Sequence, residues 1–233
     1  MLTPGNRKLG GRRIWGFGLP SGTPDVCPGM SATCRAHCYA AAVERYRPAA
    51  AAAYRRNLAR SRRRDFVVRV RAFLIAHAVA VVRVHTGGDF YGRGYARKWL
   101  RIMRRAPRVT FYFYTRSWRV PAVRAVIERM AALPNCVVWY SCDRDTGAPP
   151  AVPARVRLAW LATADDDVPP AGLDLMFRIR RLRHRPVAPG GPPVCPSEDG
   201  VTRTRTVTCD RCGVCWHPAR ARRCPLPVIE PTR

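Results

Sequence analysis

Short apolar runs rich in β-branched and aromatic residues alternate with amphipathic stretches along most of this chain. That alternation constrains the fold more than any other feature. "RIWGFGLP" (13–20), "VAVVRVH" (79–85), "RVTFYFYT" (108–115), "CVVWYS" (136–141), "VRLAWLAT" (156–163) and "LMFRIR" (175–180) read as strands. Residues 34–46, 49–77, 93–106 and 120–133 repeat their apolar positions at helical spacing, and Pro48, Pro107 and Pro121 punctuate them. Strands and helices in this order imply βα units and a parallel sheet, so the fold class is α/β. Five or six such units suit either a partial barrel or an open doubly wound sheet, and both gather ligands at the carboxyl ends of their strands. The first cysteine cluster, "HTGGDFY" (85–91), "YTRSW" (114–118) and "SCDRDTG" (141–147) all follow expected strands, so they are expected to converge at one mouth.

A hydrophobic share of 47% in 233 residues is enough for a real core, which is expected over residues 1–183. Beyond Arg183 the patterning fades into Pro, Gly, Thr and Arg. The segment 184–233 therefore reads as a small cysteine-rich module that a metal or cluster would have to stabilise. No apolar run reaches the ~18–20 residues that cross a bilayer, and the amino-terminal stretch lacks the apolar region of a secretory signal. No membrane partner and a cytoplasmic location are the expectation.

In a reducing compartment the ten cysteines are poor candidates for a disulfide framework, and their clustering points to metal chemistry. Cys209-x2-Cys212-x2-Cys215 sets three thiols on a tight loop with Gly213 at its turn, and Cys195 between prolines is the natural fourth, with His217 and Cys224 as substitute candidates. Four thiolates suit a [4Fe–4S] cluster, with zinc as the alternative; the x2-x2 spacing resembles ferredoxin loops and tilts toward iron. Cys27, Cys34 and Cys38 form a second set, one ligand short of a closed site. Three buried thiols at a helix start is the plain reading of that triplet. An open coordination position at a reactive metal centre is the functional one.

Lys and Arg total 42 against 15 acidic residues, for a net charge of +27, and Lys8 and Lys98 are the only lysines. The choice of Arg over Lys has a plain source in codon bias, but the shortage of acids does not. An excess this large favours a polyanionic partner, DNA or RNA. Arg83, Arg93, Arg97, Arg101, Arg116 and Arg119 are candidate phosphate contacts, and Trp118, beside Arg116 and Arg119, is the candidate base-stacking residue; Tyr91 is a further stacking candidate, while Tyr114 reads as core.

The order of these loops resembles radical S-adenosylmethionine (SAM) enzymes: a cysteine triplet after the first strand, a Gly-Gly-acid loop after the second, a Thr/Ser loop after the third and an S-x-D…G loop after the fourth. The resemblance implies a partial parallel (β/α) barrel and a [4Fe–4S] cluster on Cys27, Cys34 and Cys38 whose open iron takes SAM. Gly87, Gly88 and Asp89 would contact that cofactor, with Ser141 and Asp143 as further contacts. It also implies an auxiliary cluster on the carboxyl-terminal cysteines and an electron donor as partner. The cysteine spacing, x6 then x3, departs from the superfamily's C-x3-C-x2-C, and Asp89 stands for Glu. More closely, "FGLP…CPG…C…CYA", "HTGGDFY", "FYFYTRS" and "CP…TC..CGVCW" are together similar to the phage gene-product-88 family, from about Gly16 to Trp216. The function expected is thus an iron–sulfur, radical-SAM-like enzyme that modifies a nucleic acid or nucleotide. The alternative is a non-catalytic basic nucleic-acid-binding protein with structural iron–sulfur or zinc sites.

Overall fold

A computed structural model describes residues 1–182, 185, 191–196 and 207–217. The boundary expected between residues 183 and 184 falls outside them, as does Cys224. The elements in chain order are β1 (Thr3–Pro4), β2 (Ile14–Phe17), α1 (Ala32–Ala36), α2 (Tyr39–Tyr46), α3 (Pro48–Arg62), α4 (Phe66–Ala76), β3 (Val81–Val84), α5 (Arg93–Arg104), β4 (Thr110–Thr115), α6 (Pro121–Ala131), β5 (Cys136–Cys142), β6 (Val156–Ala162), β7 (Leu175–Arg178) and α7 (Cys209–Cys212).

The seven strands lie side by side in chain order, with every neighbouring pair parallel except β1 against β2. Strand alternation sorts the side chains cleanly. Phe17, Val82, Val84, Phe111, Phe113, Val138, Tyr140 and Trp160 pack with α4, α5 and α6 in one core. Ile14, Val81, Tyr112, Val137, Trp139, Ala159 and Leu175 point the other way and pack against Cys195, Cys212, Val214 and Trp216. The crossover helices α4, α5 and α6 therefore share one face, and the sheet is wound in a single direction. A doubly wound sheet is excluded, because it needs helices on both faces.

Two expected helices are each split in the structure. Residues 34–46 break at Cys38, whose extended backbone caps α2 and whose Sγ accepts from the Ala41 N–H at 3.5 Å. Residues 49–77 break between α3 and α4. There Lys98 Nζ donates to the carbonyls of Ser61, Arg62 and Arg63 at 2.7, 3.1 and 2.8 Å, satisfying the end of α3. Pro48 starts α3 rather than interrupting a helix, as its fixed φ and missing N–H suit the first helical position. Helix α5 is amphipathic: Tyr95, Ala96, Trp99, Leu100, Ile102 and Met103 are buried, while Arg93, Arg97, Arg101 and Arg104 are exposed. Trp99 meets Phe17 and Phe66 edge to face with centroids 5.3 and 5.7 Å apart, which locks α4 and α5 onto β2.

Candidate functional site at the sheet mouth and inner face

Because β2 through β6 run parallel, the loops that follow them all emerge at one end of the sheet. The Gly-Gly-Asp loop after β3 clasps the loop after β2. Leu19 N donates to the Gly87 carbonyl at 2.8 Å, Gly88 N to Ser21 Oγ at 3.0 Å, and Asp89 N to the Val26 carbonyl at 3.2 Å. Gly88 has φ +72, and a Cβ there would lie 2.8 Å from the Pro20 carbonyl oxygen. The glycines thus serve the approach of two backbones.

Asp89 is buried, and its carboxylate works inward. Oδ1 accepts from Phe90 N and Thr115 Oγ1, both at 2.7 Å, while Oδ2 accepts from Arg116 N at 2.8 Å and Ser117 N at 3.1 Å. Four bonds occupy the four acceptor positions of a carboxylate. Burial raises the Asp89 pKa, and the four donors pull it back.

Asp143, fully buried, plays the same part for the loop after β5. Its Oδ2 accepts from Ser31 Oγ at 2.5 Å and pairs with Arg116 Nη1 at 2.7 Å, and its Oδ1 accepts from the N–H groups of Asp145 and Thr146, both at 3.1 Å. Ser31 Oγ in turn accepts from Cys34 N at 2.9 Å as the N-cap of α1, and Asp145 Oδ2 accepts from Thr33 N at 2.6 Å. The "SCDRDTG" loop therefore holds the start of the cysteine-bearing helix. Gly29 completes the packing, since a Cβ there would collide with the Arg116 carbonyl. Arg119 Nη1 donates to the Gly29 and Met30 carbonyls at 3.1 and 3.3 Å.

This framework brings Cys27, Cys34 and Cys38 together at the mouth, each half-buried. The Cys27 thiol is pushed up to about 12 by burial, then by Asp89, with Cys34 and Cys38 adding to the effect against a hydrogen bond from Gly22. Burial also raises Cys34; Arg116 opposes it, and Cys38, Asp143 and Asp89 reinforce it. The Cys27 and Cys34 thiols therefore stay protonated at neutral pH unless a metal cation replaces the proton.

The second set lies on the inner face, the one without crossover helices. Cys195, Cys209, Cys212 and Cys215 line one cavity with Leu175, Pro193, Val194, Val207 and Val214. Burial raises the Cys215 thiol, and Cys195, Cys209 and Cys212 raise it further. The backbone around them is tied to the sheet by Trp139 Nε1, which donates to the Cys215 carbonyl at 2.9 Å, and Arg157 Nη1, which donates to the Val214 carbonyl at 2.6 Å; within the segment Trp216 Nε1 donates to the Cys209 carbonyl at 2.8 Å. Among the described residues every cysteine is a thiol rather than half of a disulfide. No three His, Cys, Asp or Glu side chains among them converge as a single metal ion requires.

Two expected nucleic-acid contacts need correction. Arg116 is buried in its pair with Asp143, so its charge is spent inside the protein. Trp118 is 8% exposed, donates to the Ser141 carbonyl at 3.0 Å and stacks on Tyr140. The "YTRSW" stretch turns back into the core after β4, which leaves that indole no open face for a base. Arg93, Arg97, Arg101 and Arg119 are exposed. Ser141 is half-buried, and the alternation of β5 sets it on the same face as Trp139.

Ser31 was legible as a cap three residues before Cys34 but was not singled out by sequence reasoning. Nor was the buried imidazole of His85: it has φ 66, its Nε2 lies 2.9 Å from Tyr95 Oη, its Nδ1 has no partner, and burial lowers its pKa to about 3.

A family model described as "Gene product 88" matches residues 1–218. The Gene 88 protein of Mycobacterium phage L5 is 31% identical over 55% of this chain and 57% of its own length. The Gene 88 protein of Mycobacterium phage D29 is 30% identical over the same shares. The chain thus spans a little over half the length of these relatives. No solved structure matches. No helix among the described residues is long and apolar enough to cross a membrane.

Proposed function

We propose that this chain, which belongs to the gene product 88 family, is an iron–sulfur protein whose three-thiol site at the sheet mouth acts on a nucleic acid or nucleotide. The observation that carries this reading is the pairing of two thiol sets on one sheet. Three half-buried thiols sit at the ligand-bearing end, and four line a cavity on the inner face. Four thiols lining one cavity match by number a [4Fe–4S] cluster or a zinc ion, and the x2-x2 spacing of Cys209, Cys212 and Cys215 favours the cluster.

In this reading the one-directional winding is that of a partial (β/α) barrel, and a cluster at the triplet would supply an iron with one open coordination position. SAM is the ligand that the loop order suggests for it. The spent acceptors of Asp89 and Asp143 argue for positioning roles, and Ser141 is the better candidate for cofactor contact. The exposed arginines of α5 would hold the phosphate backbone.

A second reading, a nucleic-acid-binding protein with purely structural clusters, is favoured by one feature. Helix α5 runs from the mouth toward the opposite end of the sheet, so its arginines lead away from the triplet. Anaerobic purification with iron and sulfide counting tests the first claim, with roughly eight of each expected per chain. Zinc without iron would overturn it. Perturbation of the reduced cluster's EPR signal by SAM supports the enzyme, and an unmoved signal supports the binding protein. Neutralising Arg97 and Arg101 should flatten the salt dependence of nucleic-acid affinity by about 1–2 in log–log slope.

A further inference from the structure

On β3, Val82 and Val84 pack with the crossover helices and Val81 packs on the inner face, so alternation turns Arg83 onto the inner face as well. Its guanidinium sits between the two thiol sets. On one side Nη2 donates to Tyr39 Oη at 3.1 Å, and Tyr39 directly follows Cys38, the cap of α2. On the other side Cζ lies 6.0 Å from the centroid of the Tyr114 ring. Tyr114 in turn stacks on Trp139 and packs with the Cys195 and Cys212 cluster.

A guanidinium has five N–H donors, and Nε of Arg83 is buried with no acceptor. Its largest electrostatic neighbours are Tyr39, Tyr112, Tyr114 and Cys209, and none of these is a carboxylate. The contrast with Arg116 is direct, since that buried guanidinium has Asp143 at 2.7 Å. Arg83 is half-buried, so its cation has lost part of its water without gaining a carboxylate partner among the described residues, and its fork geometry fits a planar or tetrahedral oxyanion. Tyr114 beside it is half-buried, whereas Tyr112, its register partner on β4, is covered.

We infer that Arg83 anchors an oxyanion subsite on the inner face, taking the phosphate or carboxylate of a small ligand bound between the two thiol sets. This places a charged end of the ligand beside Tyr39 and directs the remainder toward the mouth. It rests on the proposed function only for what lies beside that anion. The subsite itself rests on Arg83 and its neighbours.

The test is thermal melting of the full-length, anaerobically purified chain at constant ionic strength, titrated with inorganic phosphate or with acetate, iron being counted in the same preparation. A failed cluster reading then shows as absent iron, independently of the anion response. The wild-type chain and the surface control Arg97→Met should gain a saturable rise of roughly 2–4 °C. Arg83→Met should lose that rise, and in buffer without oxyanions it should melt no lower than the wild type, because an unpaired charge has been removed. Arg83→Lys, which keeps the charge without the fork, should need several-fold more anion, and it carries the test if Arg83→Met does not fold. A response to phosphate alone assigns a phosphate-bearing ligand, and one to acetate alone a carboxylate. The inference is overturned if the Arg83 variants respond as the wild type does, or if the wild type responds to neither anion.

Discussion

At the mouth, Cys27, Cys34 and Cys38 ride on loops cross-tied by buried carboxylates. Asp89 binds the loop after β3 to the loop after β4, and Asp143 binds the loop after β5 to both Arg116 and Ser31. On the inner face, Cys195, Cys209, Cys212 and Cys215 sit in short segments with little apolar surface of their own, held by indole and guanidinium donors to a few carbonyls. The first set is placed by a hydrogen-bonded frame made of the protein's own groups. Among the described residues the second has only a four-residue helix, α7, within it, too short to persist alone. A metal or cluster should therefore be a ligand for the mouth and a structural element for the inner-face module.

Removing one thiol from each set separates these two roles. If the proposed cluster is bound there, Cys212→Ser should abolish it and release residues 207–217 to proteolysis, with changed Trp216 emission. Metal binding accounts for on the order of 10 kcal/mol of apparent folding free energy in small metal-dependent modules. Cys34→Ser should lower the iron count while leaving the melting temperature nearly unchanged. Equal losses of stability in the two variants would show that the mouth depends on metal as much as the module does.

The frame at the mouth can be tested through its buried ion pair. Arg116→Met or Asp143→Leu alone leaves an uncompensated buried charge and should cost about 3–5 kcal/mol in urea unfolding. The double variant should cost clearly less than the sum, and the coupling measures the pair. Metal at the inner face should persist in all three, because neither residue touches that module.

The strands from β2 to β7 were readable because runs such as "TFYFYT" and "CVVWYSC" combine β-branched and aromatic density with turn signals at their ends. The convergence of four loops at one mouth followed from parallel pairing alone. Helix breaks at Cys38 and near Arg63 were not readable, since both lie within strings of good helix formers. The first break depends on a thiol capping Ala41, and the second on Lys98 reaching back across 35 to 37 residues. Trp118 misled for a related reason: its sequence neighbours are arginines, whereas its neighbours in space are Tyr140 and the Ser141 carbonyl. The docking of the carboxyl-terminal cysteines onto Trp139 and Tyr112 is a long-range fit that no periodicity encodes. The inward turn of Asp89 depends likewise on donors from "YTRSW", 26 to 28 residues away.

The smallest effect sharpens the comparison through pH. His85, 5% exposed at the end of β3, is held neutral by burial, with its pKa lowered from 6.5 to about 3. Above about pH 6.5 neither the folded nor the unfolded chain protonates this imidazole, and its contribution is constant. Below that value the unfolded chain takes up a proton that the folded chain refuses until pH falls to about 3. Stability is therefore lost as pH falls through this window, by at most about 1.4 kcal/mol per unit and about 2 kcal/mol by pH 5. Asp89 acts in the opposite sense: its raised folded pKa makes stability fall as pH rises from the ordinary Asp value toward the folded one. His85→Asn, which tolerates the left-handed backbone, isolates the histidine. The stability gap between wild type and variant at pH 7 should shrink steadily toward pH 5, and hydrogen exchange should quicken in residues 85–91 before it does in residues 207–217. A gap that stays constant across the range would mean that His85 takes up its proton alike in the folded and unfolded chain, and the mouth would then have no acid-sensitive element that the inner-face module lacks.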